Sequence, residues 1–169
     1  MSATAYVCPG QGSQSVGMGA DLAAAFPAAR EVFEEVDDAL GQKLSAVIFE
    51  GPAEDLTKTE NTQPALMAVS MAVLRVLEKE GGLDITQAAA LLAGHSLGEY
   101  SALAAGRSFS LSGAARLLRL RGQAMQKAVP AGEGGMAALI GVTQEQAEEI
   151  CRRAAVLVVE GGPDRHELI

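Results

Sequence analysis

Tryptophan, cysteine and histidine are scarce in this 169-residue sequence. It has no tryptophan, aromatic residues make up 4% of the chain, and its two cysteines are Cys8 and Cys151. A low aromatic content disfavours an aromatic-rich β-sandwich. Two cysteines so far apart form neither a disulfide framework nor a zinc-ligand spacing. We therefore predict no metal site, and the cysteine usage fits a reducing compartment.

Clusters of positive charge and long apolar runs are also missing. The formal net charge is -8 and the sequence pI is about 4.7, whereas nucleic-acid binding needs clustered cations to contact phosphates. No apolar run is long enough to span a bilayer, and residues 1–7 lack the basic and apolar regions of a signal peptide. We therefore expect no nucleic-acid or membrane partner and a cytoplasmic location.

Apolar residues make up 49% of the chain, and their spacing alternates between short runs and helical periodicity. This alternation predicts an α/β fold with a parallel sheet. A buried strand is expected at 5–8, before a glycine-rich loop, and a second buried strand at 88–93. Helices are predicted at 22–36, with Gly41 as the stop, at 64–77 and at 111–129.

A second unit is predicted to begin near residue 131, after Pro130 and a glycine-rich stretch. Its pattern indicates a strand at 136–142, a helix at 144–153 and a strand at 156–159. These few elements cannot complete a sheet layer. We therefore expect a domain over 1–130 and the beginning of another over 131–169, incomplete at its C-terminal end.

A Gly-x-Ser-x-Gly motif, formed by Gly94, Ser96 and Gly98, lies between the second strand and a helix. In that context it is typical of a nucleophile elbow, in which a strained turn exposes the serine hydroxyl. The backbone N–H groups of Leu97 and Gln11 are candidates for the oxyanion hole of an acyl-transfer site. The alternative is a pair of ordinary tight turns.

Neither histidine is placed to act as the base for Ser96. His95 adjoins the serine, but neighbouring residues of an extended segment project to opposite sides, so we interpret it as structural. His166 lies in a short polar tail after a Gly-Gly-Pro break. We therefore expect the base to lie outside this chain.

Arginines of the 111–129 helix allow two interpretations. The guanidinium of Arg121 could bind a substrate carboxylate through two parallel hydrogen bonds. Alternatively, Arg116, Arg119 and Arg121 form a solvated helix face with buried aliphatic stems. The residues alone favour the solvated face.

Five segments, in this order, resemble the malonyl-CoA:acyl carrier protein transacylases, the acyltransferases that load fatty acid synthesis. They are Pro9-Gly10-Gln11-Gly12-Ser13-Gln14, Asn61-Thr62-Gln63-Pro64-Ala65-Leu66, Gly94-His95-Ser96-Leu97-Gly98-Glu99-Tyr100, Arg121-Gly122-Gln123-Ala124-Met125-Gln126 and Gly134-Gly135-Met136-Ala137-Ala138. Together they are far more specific than the serine motif alone.

The resemblance implies that Ser96 takes a malonyl group from CoA as an ester and passes it to the phosphopantetheine thiol of acyl carrier protein. Gln11 and Leu97 would form the oxyanion hole. Arg121 would hold the malonyl carboxylate, and Gln63 would line the pocket. The implied substrates are malonyl-CoA and acyl carrier protein, with no further cofactor.

The resemblance also implies a hydrolase-like large subdomain, followed from residue 131 by the start of a small ferredoxin-like subdomain. The family's catalytic histidine follows later in its sequence, beyond the segments matched here. Two alternatives stay open: a serine esterase or thioesterase with the same elbow, and an inactive truncated chain.

Overall fold

The computed structural model describes residues 3–128 and 139–160, with side chains as far as residue 154. The chain divides into two compact units, Met1–Ala131 and Gly132–Ile169. The first unit is α/β and carries the predicted site.

Two parallel strands form the sheet of the first unit. They are β1 (Ala5–Cys8) and β2 (Leu91–Gly94), with Ala5 opposite Leu91 and Cys8 opposite Gly94. The predicted bounds of β1 are confirmed. Because the strands are parallel, the segments that follow Cys8 and Gly94 leave from the same edge of the sheet. This edge holds Gln11 and Ser96.

Eight helices accompany these strands in the described part of the first unit. They are α1 (Ala20–Ala25), α2 (Pro27–Leu40), α3 (Leu44–Glu50), α4 (Ala53–Thr57), α5 (Thr59–Lys79), α6 (Ile85–Ala88), α7 (Gly98–Ala105) and α8 (Leu111–Ala128). The core lies where α2, α5 and α8 pack together. Helix α5 is central, as predicted, and its first half is buried on nearly every side.

Helix α5 begins at Thr59, five residues before its predicted start, and two further element boundaries in this unit differ from the prediction. The single helix expected at 22–36 is broken at Phe26, which is extended, because a residue that precedes a proline avoids the helical conformation. The strand expected from residue 88 begins at Leu91, since Asp84 caps the short helix α6 and carries helical structure to Ala88.

The strands are more exposed than predicted. Side chains of Val7 and Leu91 are 71% and 58% exposed, whereas strands of parallel sheets are normally covered on both faces. The prediction that both strands are buried rested on their apolar sequences. Of the eight strand residues, Cys8 alone is buried in the described structure.

The second unit contains α9 (Gln144–Glu160). The strand predicted at 156–159 is wrong, because the helix continues through these positions. No glycine or proline interrupts residues 144–160, and extending an existing helix outweighs the weaker strand preference of valine. Of the strand predicted at 136–142, residues 136–138 lie outside the described residues and 139–142 are irregular.

None of the helices in residues 3–128 and 139–160 combines the length and the apolar character needed to cross a membrane.

Candidate functional site

Ser96 lies in a sharp turn between β2 and α7. Its φ is 55°, in the left-handed region that residues with a side chain rarely adopt. The flanking glycines are needed sterically, since a β-carbon on Gly94 would collide with the backbone of Gly98, and one on Gly98 would collide with that of Cys8. This turn leaves the Ser96 side chain exposed at the edge of the sheet.

Two backbone N–H groups near this turn are free. Within the described residues, neither Gln11 nor Leu97 donates its backbone N–H to a hydrogen bond. The loop that carries Gln11 abuts the turn, because a β-carbon on Gly10 would collide with the ring of His95. Free donors on both sides of a nucleophile are what an oxyanion requires.

Arg121 of α8 reaches the Ser96 hydroxyl. Its Nη2 donates to Ser96 Oγ at 3.0 Å, and its Nη1 donates to Gln63 Oε1 at 2.8 Å. The guanidinium carbon lies 5.9 Å from the centre of the Tyr100 ring, within the range of a cation–π contact. Arg121 is therefore fixed from three sides and points at the serine.

Gln63 sets the direction of this contact from inside the protein. Its side chain is fully buried in α5, and its Nε2 donates to Met125 Sδ at 3.2 Å. Because the amide nitrogen faces the sulfur, the amide oxygen is directed at Arg121. A buried amide with both ends engaged keeps one orientation, which it imposes on the guanidinium.

The structure thus brings together the side chains of Ser96, Arg121 and Gln63. Gln11 is linked to the same region by its side chain, whose Nε2 lies 3.4 Å from the hydroxyl of Thr59, the first residue of α5. Leu97 follows Ser96 directly, and its own side chain is buried.

Sequence reasoning did not single out Tyr100 or Met125. Both lie four residues after a predicted site residue in the same stretch, Tyr100 after Ser96 and Met125 after Arg121. Arg121 and Met125 share a face of α8 at this helical spacing, so the periodicity could have drawn attention to Met125. Ser96 precedes α7 in a left-handed turn, so the same argument does not extend to Tyr100. The preference of a cation for an aromatic ring would have been a further signal.

A proton acceptor for Ser96 is not found in the described residues. Ser96 Oγ accepts from Arg121 and donates to no group there, and His95 makes no hydrogen bond to it. His166 lies outside the described residues. The described residues also contain no group of three or more Cys, His, Asp or Glu arranged to hold a metal ion.

A model of the acyl transferase domain matches residues 5–167 of the chain. The chain belongs to the acyl transferase domain family. It is 49% identical over 155 residues to the malonyl CoA-acyl carrier protein transacylase of Escherichia coli K12, an alignment that covers 92% of this chain and 49% of that protein. It is 50% identical over 152 residues to the enzyme of the same name in Bacillus subtilis 168, covering 89% and 46%.

Solved structures of acyl transferases have the same fold. The acyl-carrier-protein S-malonyltransferase of Bartonella henselae superposes with a TM-score of 0.84 at 61% identity, covering 92% of this chain and 49% of that one. A malonyl-transacylase in complex with its type II PKS acyl-carrier protein gives 0.81 at 49% identity, covering 91% and 48%. The chain therefore spans about half the length of the curated relatives it matches.

Proposed function

We propose that this chain carries the nucleophile and the acid-binding group of a malonyl-CoA:acyl carrier protein transacylase. The observation that carries the proposal is the 3.0 Å contact between Arg121 Nη2 and Ser96 Oγ. A permanent cation beside a serine nucleophile favours acyl groups that bear a negative charge close to the reacting carbonyl. The names of the relatives support the same reaction.

In the first half of the proposed reaction, Ser96 Oγ attacks the thioester carbonyl carbon of malonyl-CoA. The new C–O bond converts the carbonyl oxygen into an oxyanion, which the free N–H groups of Gln11 and Leu97 stabilise. The C–S bond then breaks, CoA leaves as its thiol, and malonyl remains as the Ser96 ester. The serine proton passes through a histidine, which we place in the part of the family's length that follows this chain.

In the second half, the phosphopantetheine thiol of acyl carrier protein attacks the malonyl ester. The new C–S bond forms as the C–O bond to Ser96 breaks, and the proton of the thiol returns to the serine oxygen. The same oxyanion donors serve both halves, which predicts ping-pong kinetics.

The short reach of Arg121 favours malonyl over longer diacids. A guanidinium has five N–H donors, and the described residues of the chain engage one on Nη1 and one on Nη2. The others are available to a carboxylate. In a malonyl ester one methylene separates the ester carbonyl from the carboxylate, so the acid lies within reach of a cation that already contacts Ser96 Oγ. An uncharged acyl group cannot form an ion pair with the Arg121 guanidinium.

The fold assignments that accompany this function are also proposals. The positive φ of Ser96 and the close approach of Gly94 to Gly98 support a nucleophile elbow on a hydrolase-like subdomain. The division of the chain at residue 131 supports the start of a small subdomain there. Its ferredoxin-like architecture is inferred from the family resemblance.

Intact-mass measurement tests the proposed function directly. The purified chain is incubated with malonyl-CoA or acetyl-CoA, alongside Ser96→Ala. We expect an added mass of one malonyl group on Ser96, slow because the base is not provided, and none on the variant. A neutral fluorophosphonate, with imidazole added as the proton acceptor that the described residues do not supply, serves as the control for reactivity of Ser96. Labelling by the fluorophosphonate with equal acylation by acetyl-CoA and malonyl-CoA would favour an esterase instead.

A further inference from the structure

A second arginine of α8 makes the same kind of contact as Arg121. Arg119 Nη1 donates to Asn61 Oδ1 at 2.8 Å, just as Arg121 donates to Gln63. The two acceptors are two residues apart on α5, and the two arginines are two residues apart on α8. A pair of parallel arginine–amide hydrogen bonds therefore joins the two helices.

These two hydrogen bonds lie on opposite sides of the packed face of α8. That face consists of Leu111, Ala114, Ala115, Leu118 and Gly122, which are all buried. At about 100° per residue, Arg119 and Arg121 leave the helix on either flank of this face. At its centre the backbones nearly touch, since a β-carbon on Gly122 would lie 2.6 Å from Glu60 Cα. The two arginine–amide hydrogen bonds, one on each side of the close approach at Gly122, fix the rotation of α8 about its own axis.

Asn61 is itself held firmly. It is 6% exposed, and its Nδ2 donates to the backbone oxygen of Asp55 at 2.8 Å. With both ends of the amide engaged, Asn61 cannot turn away from Arg119 without losing a hydrogen bond inside the protein. It is therefore a fixed anchor on α5.

Arg119 is half-buried, and its burial carries a cost that a solvated helix face does not. Burial lowers the pKa of its guanidinium, Glu60 being the charged group that opposes this shift, and its Nη2 is buried with no hydrogen-bond partner among the described residues. Arg116, on the same helix, is exposed, and among the described residues its side chain bonds only to the backbone oxygen of Ala39. The prediction that the arginines of α8 form a solvated face therefore holds for Arg116 and not for Arg119.

We propose that Arg119 is a positioning residue for acyl-group selection. By holding Asn61 it fixes the rotation of α8, so that Arg121 meets Gln63 and Ser96 together. The inference rests on the proposed role of Arg121 in binding the substrate carboxylate. Loss of the Arg119 contact should weaken recognition of that carboxylate and leave the serine turn, which is built by β2 and α7, unchanged.

Protection of Ser96 by free malonate tests this inference without needing the complete reaction. With imidazole added as the proton acceptor that the described residues do not supply, a neutral fluorophosphonate is used to label Ser96 in the full chain, and malonate bound at Arg121 blocks the label, with acetate as the control anion. In Arg119→Met the malonate concentration for half-protection should rise roughly tenfold, the loss expected when one hydrogen bond to a charged group no longer fixes the site. The labelling rate without malonate should stay unchanged.

Three further variants sharpen the result. Arg119→Lys keeps a donor for Asn61 and should restore most of the protection. Asn61→Ala removes the same contact from the other helix, so it should match Arg119→Met, and the double variant should be no worse than either single one. Arg116→Met is the matched control from the exposed face and should behave like wild type.

The outcomes separate the two proposals. Failure of malonate to protect the wild-type chain overturns the proposed function and the inference with it. Equal protection of wild type and Arg119→Met overturns the inference alone. A parallel loss of unprotected labelling and of helical circular dichroism in both Arg119→Met and Asn61→Ala would assign Arg119 a purely structural role, which also overturns it.

Discussion

Arg121 and Ser96 are 25 residues apart in sequence, yet the Nη2 of the arginine lies 3.0 Å from the hydroxyl oxygen of the serine. The serine is exposed in its turn, whereas the arginine is oriented from behind by the fully buried Gln63. A mobile surface arginine would lose side-chain conformational entropy on binding an acyl group. Here the orientation is fixed before an acyl group arrives.

Arg121→Met should reduce the preference of Ser96 for malonyl over acetyl donors. Methionine keeps the length and removes the charge, so only the malonyl donor loses a hydrogen-bonded partner. We expect the ratio of initial acylation rates to fall roughly 10- to 100-fold, the range of one or two hydrogen bonds to a charged group. Intact-mass time courses measure both rates, and Arg116→Met is the control. An unchanged ratio would remove Arg121 from acyl-group selection.

Gly122→Ala should destabilise the first unit. Its β-carbon would lie 2.6 Å from Glu60 Cα and 2.8 Å from the backbone oxygen of Thr59, so α5 and α8 must separate. We expect a loss of about 1–3 kcal/mol in the free energy of unfolding, measured by urea denaturation, as for other overpacked sites.

Gly113→Ala is the matched control on the same helix. A β-carbon there meets only the hydroxyl of the exposed Ser110, at 2.9 Å, which accepts the Gly113 N–H at 3.1 Å. If the hydroxyl rotates away, the loss of this helix cap costs about 1 kcal/mol and offsets the gain from alanine. Since alanine also favours the helix, the unfolding free energy should change by less than about 1 kcal/mol. A similar loss in both variants would show that the close approach at Gly122 is not what limits packing.

The positions of Ser96 and of the long helices could be predicted from local pattern. The Gly-x-Ser-x-Gly spacing permits few backbone conformations, and the apolar periodicity of α5 and α8 extends over many residues. The hydrogen bond from Arg119 to Asn61 could not be predicted in this way. Periodicity places Arg119 at the flank of the packed face and Arg116 nearly opposite that face, but whether an amide of α5 accepts a hydrogen bond from Arg119 depends on how α5 and α8 pack, which is a tertiary property.

The end of α9 shows the opposite limit. A run of valine and leucine at 156–159 has a strand composition, yet it follows a helix without a break. A short apolar run can form a strand or a helix. The strand preference of four residues is weaker than the tendency of the preceding helix to continue through them. Tertiary partners would have been needed to decide, and sequence alone does not contain them.

The two cysteines should differ in reactivity. Cys8 is buried at the end of β1, and burial raises the pKa of its thiol, so its thiolate fraction at neutral pH is smaller than that of an ordinary cysteine. Cys151 is exposed on α9. Iodoacetamide at pH 7 should therefore modify Cys151 first, with Cys8 reacting more slowly until the pH is raised or the chain is unfolded.

Peptide mass spectrometry measures the two modification rates. The urea-unfolded chain is the control, in which both thiols should react alike. Equal rates in the folded chain would mean that the β1 end opens to solvent and would contradict the burial of Cys8.

Replacement of Ser96 by glycine should stabilise the protein relative to replacement by alanine. Both variants remove the hydroxyl that Arg121 contacts, so they differ only in the β-carbon. At a φ of 55° that carbon is unfavourable, and we expect Ser96→Gly to be more stable than Ser96→Ala by about 1 kcal/mol in urea unfolding.

Ser70, inside α5, is the control: there glycine should be less stable than alanine by about 1 kcal/mol. A glycine that is no better than alanine at position 96 would mean that the turn is not strained. The opposite signs at the two sites would instead show that the chain gives up stability to hold its nucleophile exposed, as expected where backbone strain serves function.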